Sequence, residues 1–325
     1  MNKPKQPLVS IITPCYNGEI FVHRFLDSIL IQTYENIEFI FINDGSNDNT
    51  EKIVLSYRDK FKLKGISFKY IFQENKGQAA ALNKGLKICK GDYITWPDSD
   101  DTLHKDNVKD RVEFLEMNRE FNIVLCQCII LDEDYNKLGI FKRTPLENND
   151  NLFYDLIIEK NAYFAGGAYM IRNSAFLKCN PKQSIYESRG GQNWQMLLPV
   201  LYNNECGYLN RGLYNIFFRE GSHSRQSENF ECLISKCNVH EDILINTIME
   251  IAEMTFREKE YYLEIVKTKY IKKRLNIAFQ YRNQSFFKKQ YILLKEKKQL
   301  KLKEILFDII INNFILFKIF KFIYH

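Results

Sequence analysis

The first hundred residues alternate between short apolar runs and segments with helical spacing, and this alternation constrains the fold more than any other feature of the chain. Four runs are typical of buried strands, at residues 8–13, 37–42, 66–72 and 93–96. The segments between them have helical periodicity, at residues 21–32, 50–57 and 77–89. Strands that alternate with helices predict an α/β fold, with a doubly wound, mostly parallel sheet and helices on both faces.

A polar or turn-rich segment follows each predicted strand, and these four segments indicate where a ligand would bind. In open parallel sheets, ligands bind outside the carboxyl ends of the strands. We therefore expect one crevice to be lined by residues 14–18, 43–47, 73–77 and 97–101.

The acidic run at the end of the fourth predicted strand is the strongest chemical signal. Asp98, Asp100 and Asp101 place three carboxylates within four residues, and such groups repel one another unless a cation compensates them. Mg²⁺ and Mn²⁺ are bound in proteins by one or two carboxylates together with substrate phosphates. The alternative is a solvated turn or a capped helix start, which the position at a strand end makes less favourable.

Two other strand-end segments carry weaker signals. Asp44, followed by Gly45, lies in a tight loop where its carboxylate can accept a hydrogen bond from a nucleobase N–H. The same residues also fit an ordinary turn before a helix. Residues 12–18 match neither the glycine pattern of dinucleotide-binding loops nor a P-loop, and Tyr16 is either a base-stacking or a core aromatic residue.

The second half of the chain is different in kind. Residues 105–230 mix helical and strand patterns, whereas the remainder has long helical periodicity, lacks glycine and proline beyond residue 235, and is rich in lysine. We place a boundary at 225–235, which predicts one domain at residues 1–230 and a helical C-terminal extension at 231–325.

Composition excludes several classes of function. The 325 residues carry a net charge of +6, from 46 basic and 40 acidic side chains. This excess is too small for a typical nucleic-acid binder, and no recognition motif is present. The eight cysteines lack zinc spacing and several lie in apolar runs, which favours reduced thiols. With a polar start and no apolar run of about 20 residues, a cytoplasmic location is expected.

Taken together, five motifs in order resemble those of the family 2 glycosyltransferases over roughly residues 7–225. The motifs are residues 9–17 (VSIITPCYN), 32–34 (QTY), 43–46 (NDGS), 75–77 (NKG) and 98–101 (DSDD). The resemblance implies the GT-A fold of nucleotide-diphospho-sugar transferases. It also implies a metal-dependent, inverting transfer of a sugar from a nucleotide donor, with UDP favoured, to a polysaccharide or lipid-linked glycan.

The resemblance also implies roles for individual residues. Asp98 and Asp100 would form the Asp-x-Asp motif and hold Mn²⁺ or Mg²⁺ on the donor diphosphate. A larger set would bind the nucleotide, comprising Thr13, Pro14, Tyr16, Asp44, Gln73, Asn75, Lys76, Asp98 and, on a loop that resembles one closing over the diphosphate, Arg219, His223 and Arg225. That last loop also fits an ordinary basic surface segment.

The general base is where this chain departs from the family pattern. Many relatives have a Glu-Asp pair opening a helix after the acidic motif, whereas here the matching stretch carries the amides Gln192 and Asn193. An amide cannot act as a base near neutral pH, which leaves Glu187 and Asp101 as candidates. Gln192, Asn193 and Trp194 are candidate acceptor-binding residues, with core packing as the alternative for Trp194. A catalytically impaired relative that binds a nucleotide or glycan, or acts as a scaffold, is the second hypothesis.

The C-terminal extension combines cationic clusters with a nearly continuous Ile, Leu and Phe segment at residues 305–324. Basic amphipathic helices with this composition suit a membrane interface that carries anionic lipids. The lipid-linked acceptor that the family resemblance implies favours this interpretation, so we expect peripheral attachment to the inner face of the cell membrane. Packing against the rest of the protein or against a second subunit is the alternative, and self-association stays open.

Overall fold

The computed structural model describes residues 6–144, 151–188, 190–218 and 229–324. By their internal contacts these residues form two compact units. The first comprises residues 6–218 and 250–253, and the second comprises residues 229–249 and 254–324. The division into domains at residues 1–230 and 231–325 stays a prediction.

Nine strands and thirteen helices occur in the described residues. The strands are β1 Val9–Cys15, β2 Ile37–Asp44, β3 Ser67–Gln73, β4 Tyr93–Thr95, β5 Thr102–Leu103, β6 Ile123–Leu131, β7 Lys137–Phe141, β8 Tyr169–Arg172 and β9 Cys206–Phe217. The helices of the first unit are α1 Val22–Leu30, α2 Thr50–Ser56, α3 Arg58–Lys64, α4 Gln78–Leu86, α5 Asn107–Met117, α6 Leu152–Ile158, α7 Asn173–Cys179 and α8 Gln192–Leu201. The second unit has α9 Phe230–Glu250, α10 Phe256–Gln280, α11 Gln284–Glu296, α12 Leu302–Asn312 and α13 Phe314–Tyr324.

All nine strands belong to one sheet with the order β3-β2-β1-β4-β8-β6-β9-β5, and β7 pairs with β6 at its side. The four strands β3, β2, β1 and β4 are parallel, as the alternating pattern predicts. β8 is antiparallel to both β4 and β6, so the second half of the sheet is mixed. The parallel half thus brings the ends of four strands to one edge.

The central strands are apolar because both of their faces are covered. All eight residues of β2 are buried. The Phe39 ring lies 5.9 Å from that of Phe25 in α1, 5.3 Å from Phe61 in α3 and 5.6 Å from Phe68 in β3. Such aromatic contacts add to the free energy gained by apolar burial and fix the helices on the sheet.

A buried carboxylate in the same strand depends on charged and polar partners. Glu38 accepts hydrogen bonds from the Lys69 ammonium at 2.8 Å, from the Ser10 hydroxyl at 2.5 Å and from the backbone N–H of Lys90. Burial alone would raise the pKa of Glu38, but these hydrogen bonds outweigh it and lower the pKa below its usual value of 4.5. The native state is therefore stabilised by the ionised form.

We expect Glu38→Gln to destabilise the protein near neutral pH by about 1–3 kcal/mol, because it removes a charged acceptor from buried donors. A folded-state pKa below the unfolded value means that the contribution is complete above pH 4.5 and is lost as the pH falls through the lowered pKa. Melting temperatures should therefore differ most at pH 7 and converge in acid. Glu35→Gln, at a neighbouring exposed position, is the control. A gap that is constant with pH would contradict this account.

The second unit contains helices in all of its described residues apart from short connections. Its core includes Leu275 and Phe279 of α10 and Phe287 of α11, together with Ile311 of α12 and Phe317 of α13. Within the described part of the chain, no helix has both the length and the apolar character needed to cross a membrane.

Candidate functional site

The segments that follow the four parallel strands lie together, which confirms the expected convergence. Side-chain hydrogen bonds connect the first segment to the second and the second to the third, and the start of α4, directly after the third, to the fourth. The links are Asn17 N to Ser46 Oγ at 2.9 Å, Gln73 Nε2 to Asp44 Oδ1 at 2.6 Å, and Gln78 Nε2 to Asp98 Oδ1 at 2.7 Å. Because these bonds join loops distant in sequence, they hold the strand-end edge in one arrangement.

Asp44 organises the loop that follows β3. Its buried carboxylate accepts hydrogen bonds from Gln73 Nε2 and from the backbone N–H groups of Lys76 and Gly77, both at 2.9 Å. Gly45 has a φ of 76°, and a Cβ there would lie 2.6 Å from the backbone nitrogen of Asn75. Asp44 thus positions this loop, and a contact between Asp44 and a nucleobase stays a prediction.

Two buried polar atoms of this edge have no hydrogen-bond partner. They are the Oγ1 atom of Thr13, at the end of β1, and the Oε1 atom of Gln73, at the end of β3. Buried polar groups are almost always satisfied, so unpartnered oxygens at the ends of two parallel strands indicate a place for a ligand that donates hydrogen bonds. Pro14 is buried beside Thr13, whereas Tyr16, Asn75 and Lys76 are exposed.

The acidic loop is held by groups from two other elements. The phenolic oxygen of Tyr214 in β9 accepts from the Asp98 N–H at 3.1 Å and interacts with the Asp101 carboxylate. The backbone N–H of Phe217 also donates to Asp101, at 3.1 Å. Arg24 in α1 donates to the Asp100 carbonyl through Nε at 3.1 Å and through Nη2 at 2.8 Å. These bonds fix the backbone of the loop before any ligand binds.

Crowding of carboxylates changes their acidity. Burial and the nearby charge of Asp100 raise the pKa of Asp98 to about 7, although the Gln78 hydrogen bond lowers it. Burial raises the pKa of Asp101 well above its usual value, and the charges of Asp100 and Asp98 add to this effect. Ionised together, these carboxylates repel one another, and a bound cation would relieve that repulsion.

This donor set fits a divalent metal that is shared with a substrate. Asp98 and Asp100 supply carboxylate oxygens, the ligands preferred by Mg²⁺ and Mn²⁺. Across the described residues, no group of three or more His, Cys, Asp or Glu side chains is arranged to hold a metal ion by itself. Further ligands would have to come from phosphate oxygens and water, as is usual for Mg²⁺.

The start of α8 is connected to the acidic loop through amides. Gln192 donates from Nε2 to the Oε1 atom of Gln78 at 2.6 Å, and Gln78 donates in turn to Asp98. Asn193 accepts from the indole nitrogen of Trp96 at 2.7 Å. Gln192 is therefore connected through Gln78 to Asp98 of the predicted metal site. Asn193 contacts Trp96, two residues before Asp98 in the sequence.

The remaining predicted residues occupy different surroundings. Trp194 is buried, donates to the Leu156 carbonyl at 3.0 Å and packs edge-to-face on Phe164. This geometry favours core packing, and sugar stacking by Trp194 stays a prediction. Glu187 is exposed, whereas Asp101 is buried. Arg219, His223 and Arg225 lie outside the described residues.

Sequence reasoning missed three residues that hold the acidic loop, namely Arg24, Gln78 and Tyr214. Each lies within an element whose pattern indicates only a helix face or a strand. Their partners come from segments 20 to 116 residues away in sequence. Only the three-dimensional arrangement of these helices and strands identifies the three residues.

We expect Tyr214→Phe to reduce kcat/KM about tenfold with little change in melting temperature. The change removes the hydroxyl that contacts Asp98 and Asp101, and the ring stays in place; a tenfold loss corresponds to roughly 1.4 kcal/mol, a typical net contribution of one hydrogen bond. Steady-state kinetics would measure the effect. Tyr208→Phe is a matched control in the same strand, because its hydroxyl accepts from Arg143 rather than from the acidic loop. Equal losses of activity in both variants would contradict a positioning role for Tyr214.

A profile of the Glycosyl transferase family 2 matches residues 10–179, which include all four converging segments. The chain belongs to this family. A glycosyltransferase of Rickettsia typhi described as uncharacterized is 35% identical over 173 residues, which are 53% of this chain and 52% of the relative. Glycosyltransferase GlyA of Streptococcus pneumoniae is 42% identical over 67% of this chain and 31% of the relative. The chain thus matches about half or less of the length of these relatives.

Solved structures share the fold. The S. aureus TarS fragment 1–349, in complex with UDP-GlcNAc, superposes with a TM-score of 0.60 and 21% identity, covering 88% of this chain and 83% of that chain. The mannosyltransferase PcManGT from Pyrobaculum calidifontis, in complex with GDP-Man and Mn²⁺, gives a TM-score of 0.55 and 14% identity, covering 98% of this chain and 90% of that chain. The α/β structure with its mixed sheet therefore has the GT-A fold, as the resemblance predicts.

Proposed function

We propose that the protein transfers a sugar, with inversion, from a nucleoside diphosphate donor to a hydroxyl group of a glycan or lipid-linked glycan. One observation carries this proposal: the ends of four parallel strands converge at one edge of the sheet. This edge contains the unpartnered oxygens of Thr13 and Gln73 and the neighbouring carboxylates of Asp98 and Asp100. The first feature suits a nucleoside and the second suits a diphosphate with its cation. Two such subsites side by side match the two parts of one donor.

The nucleoside would bind at the ends of β1 and β3. Thr13 Oγ1 and Gln73 Oε1 are buried acceptors without a partner at this edge, and exposed Tyr16 offers an aromatic face for a base. Asn75 and Lys76 lie on the neighbouring loop, where the Lys76 ammonium adds positive charge. UDP is the nucleotide we propose, because a fold relative binds UDP-GlcNAc. The family resemblance also favours this nucleotide.

The diphosphate would bind at the acidic loop. Asp98 and Asp100 would hold Mn²⁺ or Mg²⁺, and a fold relative contains Mn²⁺ together with GDP-Man. When bound, the metal would neutralise the negative charge that develops on the leaving diphosphate. Arg24 and Tyr214 would keep both carboxylates in position through the backbone and through Asp101.

The acceptor hydroxyl oxygen would attack the anomeric carbon as the bond from that carbon to the diphosphate oxygen breaks. The electron pair leaves with the nucleoside diphosphate, and the hydroxyl proton passes to a general base. We propose Glu187 for this base, because its carboxylate is exposed near the start of α8. Asp101 is less suitable, since it is buried and bonded to Phe217 and Tyr214.

A turnover assay with nucleotide sugars and Mn²⁺ tests this proposal. We expect Glu187→Gln to reduce kcat by about 100-fold or more while leaving donor binding unchanged, because a general base contributes roughly 10²–10⁴ in rate. Glu120→Gln, at another exposed position, is the control. Full activity of the Glu187 variant would exclude this residue as the base.

The alternative is a catalytically impaired relative that binds a nucleotide or glycan within an assembly complex. The amides Gln192 and Asn193 favour it, because the family resemblance implies carboxylates at this position and an amide cannot act as a general base. It predicts nucleotide binding without turnover of any donor.

For the active enzyme, we propose the inner face of the cell membrane as the place of action, where a lipid-linked acceptor would be available.

A further inference from the structure

Helix α12 turns an apolar side outward. Four aliphatic residues, Leu302, Ile305, Leu306 and Ile309, have relative exposures of 73%, 41%, 47% and 55%. Their spacing of three, four and seven residues places them on one side of the helix, here called the apolar face. Four neighbouring exposed aliphatic side chains on one helix are unusual for a surface that contacts only water.

The orientation of α12 is fixed by its other side. Phe307 stacks on Phe279 of α10 with ring centroids 3.8 Å apart, and Ile311 is buried. Glu304 is buried too, and its carboxylate accepts from the backbone N–H of Lys301 at 2.8 Å. The helix thus buries an acidic residue while exposing four aliphatic ones, which departs from the usual pattern of a surface helix. The apolar face is left for another contact.

Two lysines flank Leu302 at the start of the apolar face. Lys303 follows Leu302 in α12 and lies about 100° around the helix from it, and Lys301 directly precedes the helix. Both lysines are exposed. Of the two acidic residues in α12, Glu304 is buried and Asp308 is half-buried. The border of the face is therefore cationic at the start of α12.

Features next to α12 extend this chemistry. In α13, Phe314 and Ile315 are 51% and 69% exposed. The Lys318 ammonium lies 4.6 Å from the centre of the Phe314 ring, so a cation again accompanies an exposed aromatic residue. A cavity of about 740 Å³ lies beside the apolar face, and its walls include Leu306, Ile310 and Phe317. Its apolar lining fits a hydrocarbon chain.

We propose that the apolar face docks on the surface of an anionic lipid bilayer. Aliphatic side chains would enter the interface between headgroups and acyl chains, while Lys301 and Lys303 would extend to lipid phosphates. Contact with a second copy through the same face is less favourable, because it would bring two lysine borders together without exposed carboxylates from α12. This proposal rests on the membrane location given with the proposed function and assigns that location to one surface of the protein. Membrane binding by this surface requires only residues of the second unit, not glycosyl transfer.

Co-sedimentation of the full chain with vesicles tests the proposal without donor or acceptor. Vesicles of phosphatidylcholine alone are compared with vesicles that also contain phosphatidylglycerol. We expect strong binding only to the anionic vesicles. Leu302→Gln with Ile309→Gln should weaken this binding at least tenfold, because both residues are highly exposed and glutamine is compatible with a helix.

A second pair of substitutions tests the cationic border. Lys301→Gln with Lys303→Gln should abolish the preference for anionic lipid and should fold normally, since both side chains are exposed. The control, Lys62→Gln with Lys64→Gln, has the same spacing on exposed positions of α3 and should bind as the native protein does. Equal losses in both lysine pairs would indicate only a general charge effect and would overturn the proposal.

Two further results would overturn the membrane contact. One is a native protein that stays in the supernatant with both kinds of vesicle. The other is a dimer in light scattering that the Leu302 and Ile309 changes convert to a monomer without affecting vesicle binding. Nucleotide binding by the same samples tests the proposed function separately, because vesicle binding requires no donor.

Discussion

Asp100→Asn should reduce glycosyl transfer by at least roughly 10²–10³-fold while leaving the metal-free protein as stable as before, or more so. The loss of activity is expected because one of the two proposed carboxylate ligands of the cation is removed, together with charge that would act on the diphosphate. Stability should not fall, because the substitution removes repulsion among Asp98, Asp100 and Asp101. An ordinary structural mutation would lower both quantities.

Kinetics and thermal melting of the same preparation separate these effects. In the native protein, UDP with Mn²⁺ should raise the melting temperature, because a ligand that binds only the folded state stabilises it. This shift should disappear in Asp100→Asn. Asp59→Asn, at an exposed position of α3, is the control and should keep both the shift and the activity. Retained activity in the Asp100 variant would exclude this residue as a metal ligand.

Arg111→Met should cause the largest loss of stability, about 3–5 kcal/mol. The side chain of Arg111 in α5 is fully buried, and its guanidinium donates to the carbonyls of Gly167 at 3.0 Å and Tyr169 at 2.8 Å. It also donates to Asn107 and to the Thr95 hydroxyl. A methionine would leave several buried acceptors without donors, each at a cost of roughly 1–3 kcal/mol.

The same substitution should also impair the active site. Gly167 is packed so closely on Tyr214 that a Cβ there would lie 2.1 Å from the ring, and Tyr214 in turn holds the acidic loop. Melting temperature and denaturant midpoint measure the stability loss. Arg119→Met is a matched control, because Arg119 follows the same helix with its side chain 82% exposed. Similar melting temperatures for the two variants would contradict the role assigned to Arg111.

Part of the fold could be predicted because its signals are local. The strands β1, β2 and β3 are seven or eight residues long and each contains an apolar run, and the segments between them have helical periodicity. β5 has only two residues and β7 is largely exposed, so neither has a distinctive pattern. Residues 166–172 resemble one strand, but a 3-10 turn at Gly166–Ala168 precedes β8, and Gly167 in this turn packs against Tyr214. The antiparallel direction of β8 depends on long-range pairing.

The site was predictable to the extent that strand ends determine it. The turn-rich segments after β1 to β4 identify the edge of the sheet, and the topology then brings them together. What each side chain contacts there depends on residues from other elements. Asp44 binds the backbone of its neighbouring loop, and Gln192 reaches Asp98 through Gln78. Neither interaction has a local signature.

Calorimetric titration of UDP into the native protein, with Mn²⁺ and then with a chelator, tests the central claim most directly. That claim is that the carboxylate pair and the strand-end edge bind a nucleoside diphosphate together with a cation. We predict binding at least tenfold tighter with Mn²⁺ than with the chelator. The Asp100→Asn variant should show the weaker affinity under both conditions. Equal affinity of the native protein with and without Mn²⁺, or no binding in either case, would contradict the account.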